Sequence, residues 1–76
     1  MLPFIDMKAT GEFINGLRVK QGMSVADIQH HFGFAAPQAV YKWINGQSIP
    51  TVDNLVILAD LFGCKIDDIL VIIRGA

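Results

Sequence analysis

The stretch PQAVYKWINGQSIPTVDNL, residues 37–55, decides how this chain folds. It opens with Pro37 at a first helical position, where the missing N–H costs nothing. Val40, Trp43 and Ile44 then share an inward face, leaving Gln38, Ala39, Tyr41, Lys42 and Asn45 outward. Gly46 closes this helix. Pro50-Thr51 marks the next start, with Thr51 as N-cap and Asp53 well placed in the first turn. Upstream, Ser24 opens another helical run with Asp27 three residues on, an imperfect capping box. Val25, Ile28 and Phe32 form its apolar stripe, and Gly33 provides a left-handed exit.

Two short helices meeting at a tight Gly-containing turn, the second with a polar outer face, match a helix-turn-helix that reads DNA. The rest of the chain reads as three more helices and no strand. The first starts between Asp6 and Thr10, either of which can cap it, and runs to Lys20. Ile14 and Leu17 lie on one face, with Met7 as an outlying member, and Gly11 and Gly16 weaken it. After Thr51, Val52, Leu55, Leu58, Ala59 and Phe62 form a core stripe that Gly63 ends. A last helix runs from about Ile66 to Ile73 and contributes Ile66, Ile69, Leu70 and Ile73. Asp67 and Asp68 near its start complement the helix dipole. The expectation is a single all-α domain over residues 1–76, with a short arm at 1–6 and motif helices at about 24–32 and 37–45.

A domain of 76 residues buries only about 60% of the surface its unfolded chain exposes. Here 53% of residues are apolar and mean hydropathy is +0.46, a surplus for a small soluble core. Either the interior is dense or an apolar face meets a partner. The lone Cys64 leaves no intramolecular disulfide and reads as a buried small hydrophobe in a reducing cytoplasm. No run approaches the ~18 apolar residues of a membrane helix. Met1 to Asp6 lacks the basic start and long apolar region of a signal peptide, so the expected location is cytoplasmic. Net charge is −1, but it is unevenly spread. Residues 18–50 carry Arg18, Lys20 and Lys42 against Asp27, while residues 51–76 carry Asp53, Asp60, Asp67 and Asp68 against Lys65 and Arg74. A positive centre beside an acidic end turns the middle of the protein toward phosphates.

From about Gly11 to Leu70 the chain resembles the Cro/CI-type helix-turn-helix family, also called the xenobiotic-response-element family. Leu17-Arg18, Gly22-Met23-Ser24 and Gly33 carry the resemblance first. Val40, Trp43, Gly46, Pro50, Leu55, Leu58, Ala59, Leu61 and Gly63 follow in the right order. The resemblance implies a compact five-helix, lambda-repressor-like DNA-binding domain. It also implies a prokaryotic or phage transcriptional regulator, a repressor acting as a homodimer on a palindromic operator. Three positions depart from the family pattern. Gln29 stands where a small Ala is common. Gly33 and Val40 are seven apart, so the turn has an extra residue. Ile44 replaces a Glu that often pairs with the helix 1 Arg, which leaves Arg18 for a phosphate or another acid.

Within this frame Gln38 suits a bidentate bond to adenine N6 and N7, and Ala39 a thymine methyl. Tyr41 suits a base or a phosphate, with aromatic packing at the helix edge as its alternative. Lys42, Asn45, Gln47 and Ser48 suit phosphates around the Gly46 loop. Ser24 and the N–H groups after it suit another at a helix N-terminus. Each of these is otherwise an ordinary surface residue. For the dimer, Val56, Ile57, Val71 and Ile72 fall outside the core stripes and supply apolar surface. The alternative folds Val71 and Ile72 back on Phe4 and Ile5. Two paired subunits place recognition helices about 34 Å apart. The adjacent His30 and His31 have no third ligand at suitable spacing, so no metal is expected, nor any cofactor or small-molecule ligand. No nucleophile–base pair or carboxylate cleft points to an enzyme. The rival reading is a protein-interaction module on the same fold, an antitoxin or antirepressor partner.

Overall fold

Asp6 begins the first helix, because its carboxylate accepts the Ala9 N–H at 2.9 Å and satisfies one donor of the first turn. The computed structural model describes residues 2–75. In chain order they form β1 (Phe4–Ile5), α1 (Met7–Lys20), α2 (Val25–Phe32), α3 (Gln38–Ile44), α4 (Val52–Phe62), α5 (Ile66–Ile69) and β2 (Ile72–Ile73). Five helices are present as expected, and the motif helices match to within a residue. Pro37 is the N-cap of α3, one position before its expected place.

Local chemistry sets these boundaries. The box at α2 is complete: Asp27 N–H donates to Ser24 Oγ at 2.9 Å, and Ser24 N–H donates to Asp27 Oδ2 at 2.8 Å. Gly33 takes φ 72°, so its N–H reaches the His30 carbonyl while Phe34 N–H reaches that of Gln29, both at 3.1 Å. These two bonds close α2 and turn the chain toward α3.

The core holds Ile14, Ile28, Val40, Trp43, Leu55, Leu58, Ala59, Phe62 and Ile69. Burying each large side chain contributes ~1.5–3 kcal/mol. Phe32 and Phe34 stack at 5.1 Å and both meet Trp43 edge-on, which pins the turn between α2 and α3. The tightest approach joins α1 to the end of α3. A Cβ at Gly11 would fall onto the Trp43 carbonyl oxygen and lie 2.6 Å from that of Ile44. Gly11 therefore does more than weaken α1: it lets two backbones touch.

The ends of the chain differ from the sequence reading. No strand was expected, yet β1 and β2 pair antiparallel, Phe4 opposite Ile73 and Ile5 opposite Ile72. The last helix ends at Ile69 instead of about Ile73. Leu70 is extended, Val71 N–H donates to Thr10 Oγ1 at 2.9 Å, and the Val71 carbonyl accepts the Asp6 N–H at 2.8 Å. Those bonds replace the next helical turn. Val71 and Ile72 thus lie beside the N-terminal arm, the fold-back arrangement, and among the described residues no helix extends past Ile69. Val52 is 73% exposed instead of joining the α4 stripe. It is the first residue of α4, and three residues fall about 60° short of a turn from Leu55. Met7 and Ile73 are likewise exposed.

Candidate nucleic-acid interface

The side chains of α3 divide cleanly. Val40 and Trp43 are buried, whereas Gln38, Tyr41, Lys42 and Asn45 are exposed. Positions i, i+3, i+4 and i+7 share one side of a helix, so these four form a continuous polar stripe. Ala39 was expected with them but is half-buried against the core, because its position turns toward α2 and the aromatic cluster instead of the stripe. Ile44 packs inward as expected.

The loop after α3 wraps its end. Gln47 N–H and Ser48 N–H both reach the Lys42 carbonyl, at 2.9 and 3.3 Å. Gln47 stays exposed beside Asn45, and Ser48 is half-buried. Before α3, the longer turn is held by Gln29, whose Nε2 donates to the Phe34 carbonyl at 3.2 Å. The Gln29 side chain thus ties the end of α2 to the turn that follows it.

Two candidates are already engaged within the chain. Arg18 is half-buried, with Nε and Nη2 donating to Asn15 Oδ1 at 3.0 and 2.8 Å and Nη1 to the Met23 carbonyl at 2.9 Å. In place of the missing Glu it has found Asn15 and the turn before α2. Ser24 accepts the Asp27 N–H, and the Asp27 carboxylate occupies the same end of α2. The Ser24 backbone bond, then its hydroxyl, hold the Asp27 carboxyl below the usual carboxylate range. An anion there meets negative charge as well as a helix N-terminus.

The charge on the α3 stripe is that of Lys42 alone, set among neutral donors. Sequence reasoning missed Lys8, which α1 brings beside the loop: a Cβ on Gly46 would lie 2.7 Å from the Lys8 Cα. The signal was the Gly11 and Gly46 pair, whose meaning needs the fold. Elsewhere Cys64 is half-buried against the core, and burial pushes its thiol pKa up. Among the described residues no three His, Cys, Asp or Glu side chains gather as a metal site would require. No helix among them is long and apolar enough to cross a membrane.

A helix-turn-helix family model matches residues 14–69. The crystal structure of the DNA-binding domain of BldD is similar at 24% identity and TM-score 0.72, over 87% of this chain and 94% of that one. The BldD DNA-binding domain of S. venezulae is similar at the same identity and TM-score, with 97% of its chain covered. At this identity the likeness is one of fold. No curated protein matches the sequence.

Proposed function

The chain belongs to the Cro/CI-type helix-turn-helix family, and from that membership we propose that it is a transcription regulator that binds double-stranded DNA sequence-specifically. The observation that carries this reading is the stripe of Gln38, Tyr41, Lys42 and Asn45 on a helix whose other side is buried. Such a helix can enter a major groove without disturbing the core. Gln38, in the first turn, bonds an adenine edge. Tyr41 borders the bases, and Lys42 neutralises a phosphate. Asn45, Gln47 and Ser48 supply neutral donors to the backbone, and Ser24 joins them only by giving up its hold on the Asp27 carboxylate. Arg18 has donors beyond the three it uses at home, and Ala39 reaches a base only at its exposed edge.

In its finer form the proposal is a cytoplasmic repressor acting as a homodimer on a palindromic operator. Val56 and Ile57 are exposed on α4, at 53% and 37%, and Ile72 at 42%, with Val71 half-buried beside it. A small domain that leaves apolar side chains outside is suited to pairing with a second copy. Val56→Asp combined with Ile57→Asp is expected to give folded monomers in sedimentation and weaker operator binding. An unchanged dimer mass would place the interface elsewhere.

Mobility shifts across a salt series test the DNA reading. Gln38→Ala is expected to lose roughly 1–3 kcal/mol on the preferred duplex and to relax specificity at one base pair. Lys42→Ala should weaken all duplexes alike and flatten the salt dependence by about one unit of slope. The second reading, a protein-interaction module, is favoured by the single cation on the α3 stripe and by exposed Val52, Val56 and Ile57 on α4. It wins if the wild-type chain shifts no duplex even at low salt.

A further inference from the structure

The first turn of α1 lies against the loop that follows α3. A Cβ on Gly46 would meet the Lys8 Cα at 2.7 Å, its N at 3.1 Å and the Met7 carbonyl at 3.2 Å. One turn along, Gly11 faces the Trp43 and Ile44 carbonyls, and a Cβ there would lie 3.0 Å from Gly46 N. Lys8 is exposed and so is carried, main chain against main chain, beside Asn45 and Gln47.

We propose that Lys8 is a phosphate-binding residue, so that the surface meeting the DNA backbone crosses from the α3–α4 loop onto α1. The inference rests on the DNA-binding reading above. Its chemistry is that of a backbone clamp. Lys8 and Lys42 supply charge, and Asn45 and Gln47, the neighbours of Gly46, supply neutral donors. The nearest acid in sequence, Asp6, has its carboxylate turned to the Ala9 N–H. Glu12 stands four residues on along α1, at the spacing from which a helix can pair opposite charges. Because Lys8 meets Gly46 through its backbone, shortening its side chain leaves the seam between α1 and α3 in place.

The test measures binding of wild type, Lys8→Ala, Lys8→Gln, Lys8→Arg and Lys65→Ala to one duplex that the wild type prefers and one unrelated duplex, across a salt series. Lys65, at the start of α5 next to Asp67 and Asp68, controls for net charge. Lys8→Ala and Lys8→Gln are expected to reduce the slope of log K against log salt by about 0.9, equally on both duplexes. Lys8→Arg should keep the wild-type slope, and so should Lys65→Ala. A wild-type slope in Lys8→Ala and Lys8→Gln overturns this inference and leaves DNA binding standing, as does an equal loss in Lys65→Ala. A wild type that binds neither duplex overturns the DNA reading and this inference together.

Discussion

The inner side of α3 is closed against α1 at main-chain distance, while its outer side presents four polar side chains to solvent. On the inner side Trp43 and Val40 are buried, and the Trp43 and Ile44 carbonyls leave room for a hydrogen at Gly11 and for nothing larger. On the outer side Gln38, Tyr41, Lys42 and Asn45 are exposed. A helix of seven residues is too short to be stable in water alone. Its inner side therefore supplies the stability that frees the outer side for recognition. The two sides should respond to substitution in separate ways.

The largest expected effect is on the inner side. Gly11→Ala places a methyl group onto backbone atoms, which cannot move aside as a flexible side chain would. A loss of about 3 kcal/mol is expected, or roughly 12–24 °C in Tm for a domain of this size. Thermal unfolding followed by circular dichroism reads it directly. A melting point within a few degrees of wild type would show that the seam is looser than its geometry.

Gly16 sharpens the comparison, since it lies in the same helix with nothing within 4 Å of its absent Cβ. Gly16→Ala removes only the conformational cost of a helical glycine and is expected to stabilise by about 0.5–1 kcal/mol. One residue type in one helix then gives opposite signs in one melting assay. If both variants destabilise, the space beside Gly16 is not open to a methyl group.

The smallest effect concerns acid. The Asp27 carboxyl is held below its ordinary range by the Ser24 backbone and hydroxyl. Its contribution is therefore fully present above the unfolded-state value and fades as pH falls below about 4. Asp27→Asn should be slightly less stable than wild type at neutral pH and show a weaker fall over the acid range, so that the two curves converge below about pH 4. The side chain is exposed, so the difference should be small, and a variant that tracks the wild-type curve would remove Asp27 from the acid response.

What the sequence made legible follows the same division. Ser24, Asp27, Gly33, Pro37, Gly46, Thr51 and Gly63 act on neighbours three to five residues away, so α2, α3 and the start of α4 could be placed from spacing alone. The outer stripe was legible for the same reason, apart from Ala39, whose burial depends on what packs opposite it. Features set by distant partners were not legible. The last helix stops because Val71 bonds a threonine 61 residues earlier, and Ile72 and Ile73 pair with an arm that has no strand signal of its own. Arg18 looked free because a family acid is missing, but Asn15 and the Met23 carbonyl take its place. Gly11 read as a weakness because propensity is local, and the backbone it accommodates lies more than thirty positions away. Lys8 joins the interface through that same contact.

Selection of duplexes from a random pool by the wild-type protein tests whether the outer side of α3 reads DNA. Enrichment of one sequence is expected at moderate salt, arranged as two half-sites about one helical turn apart. Gln38→Ala, folded to the same melting point, is expected to enrich a family of sequences that has lost its preference at one position in each half-site. A pool that stays random through repeated rounds at low salt would contradict the account, and so would a Gln38→Ala pool identical to that of the wild type.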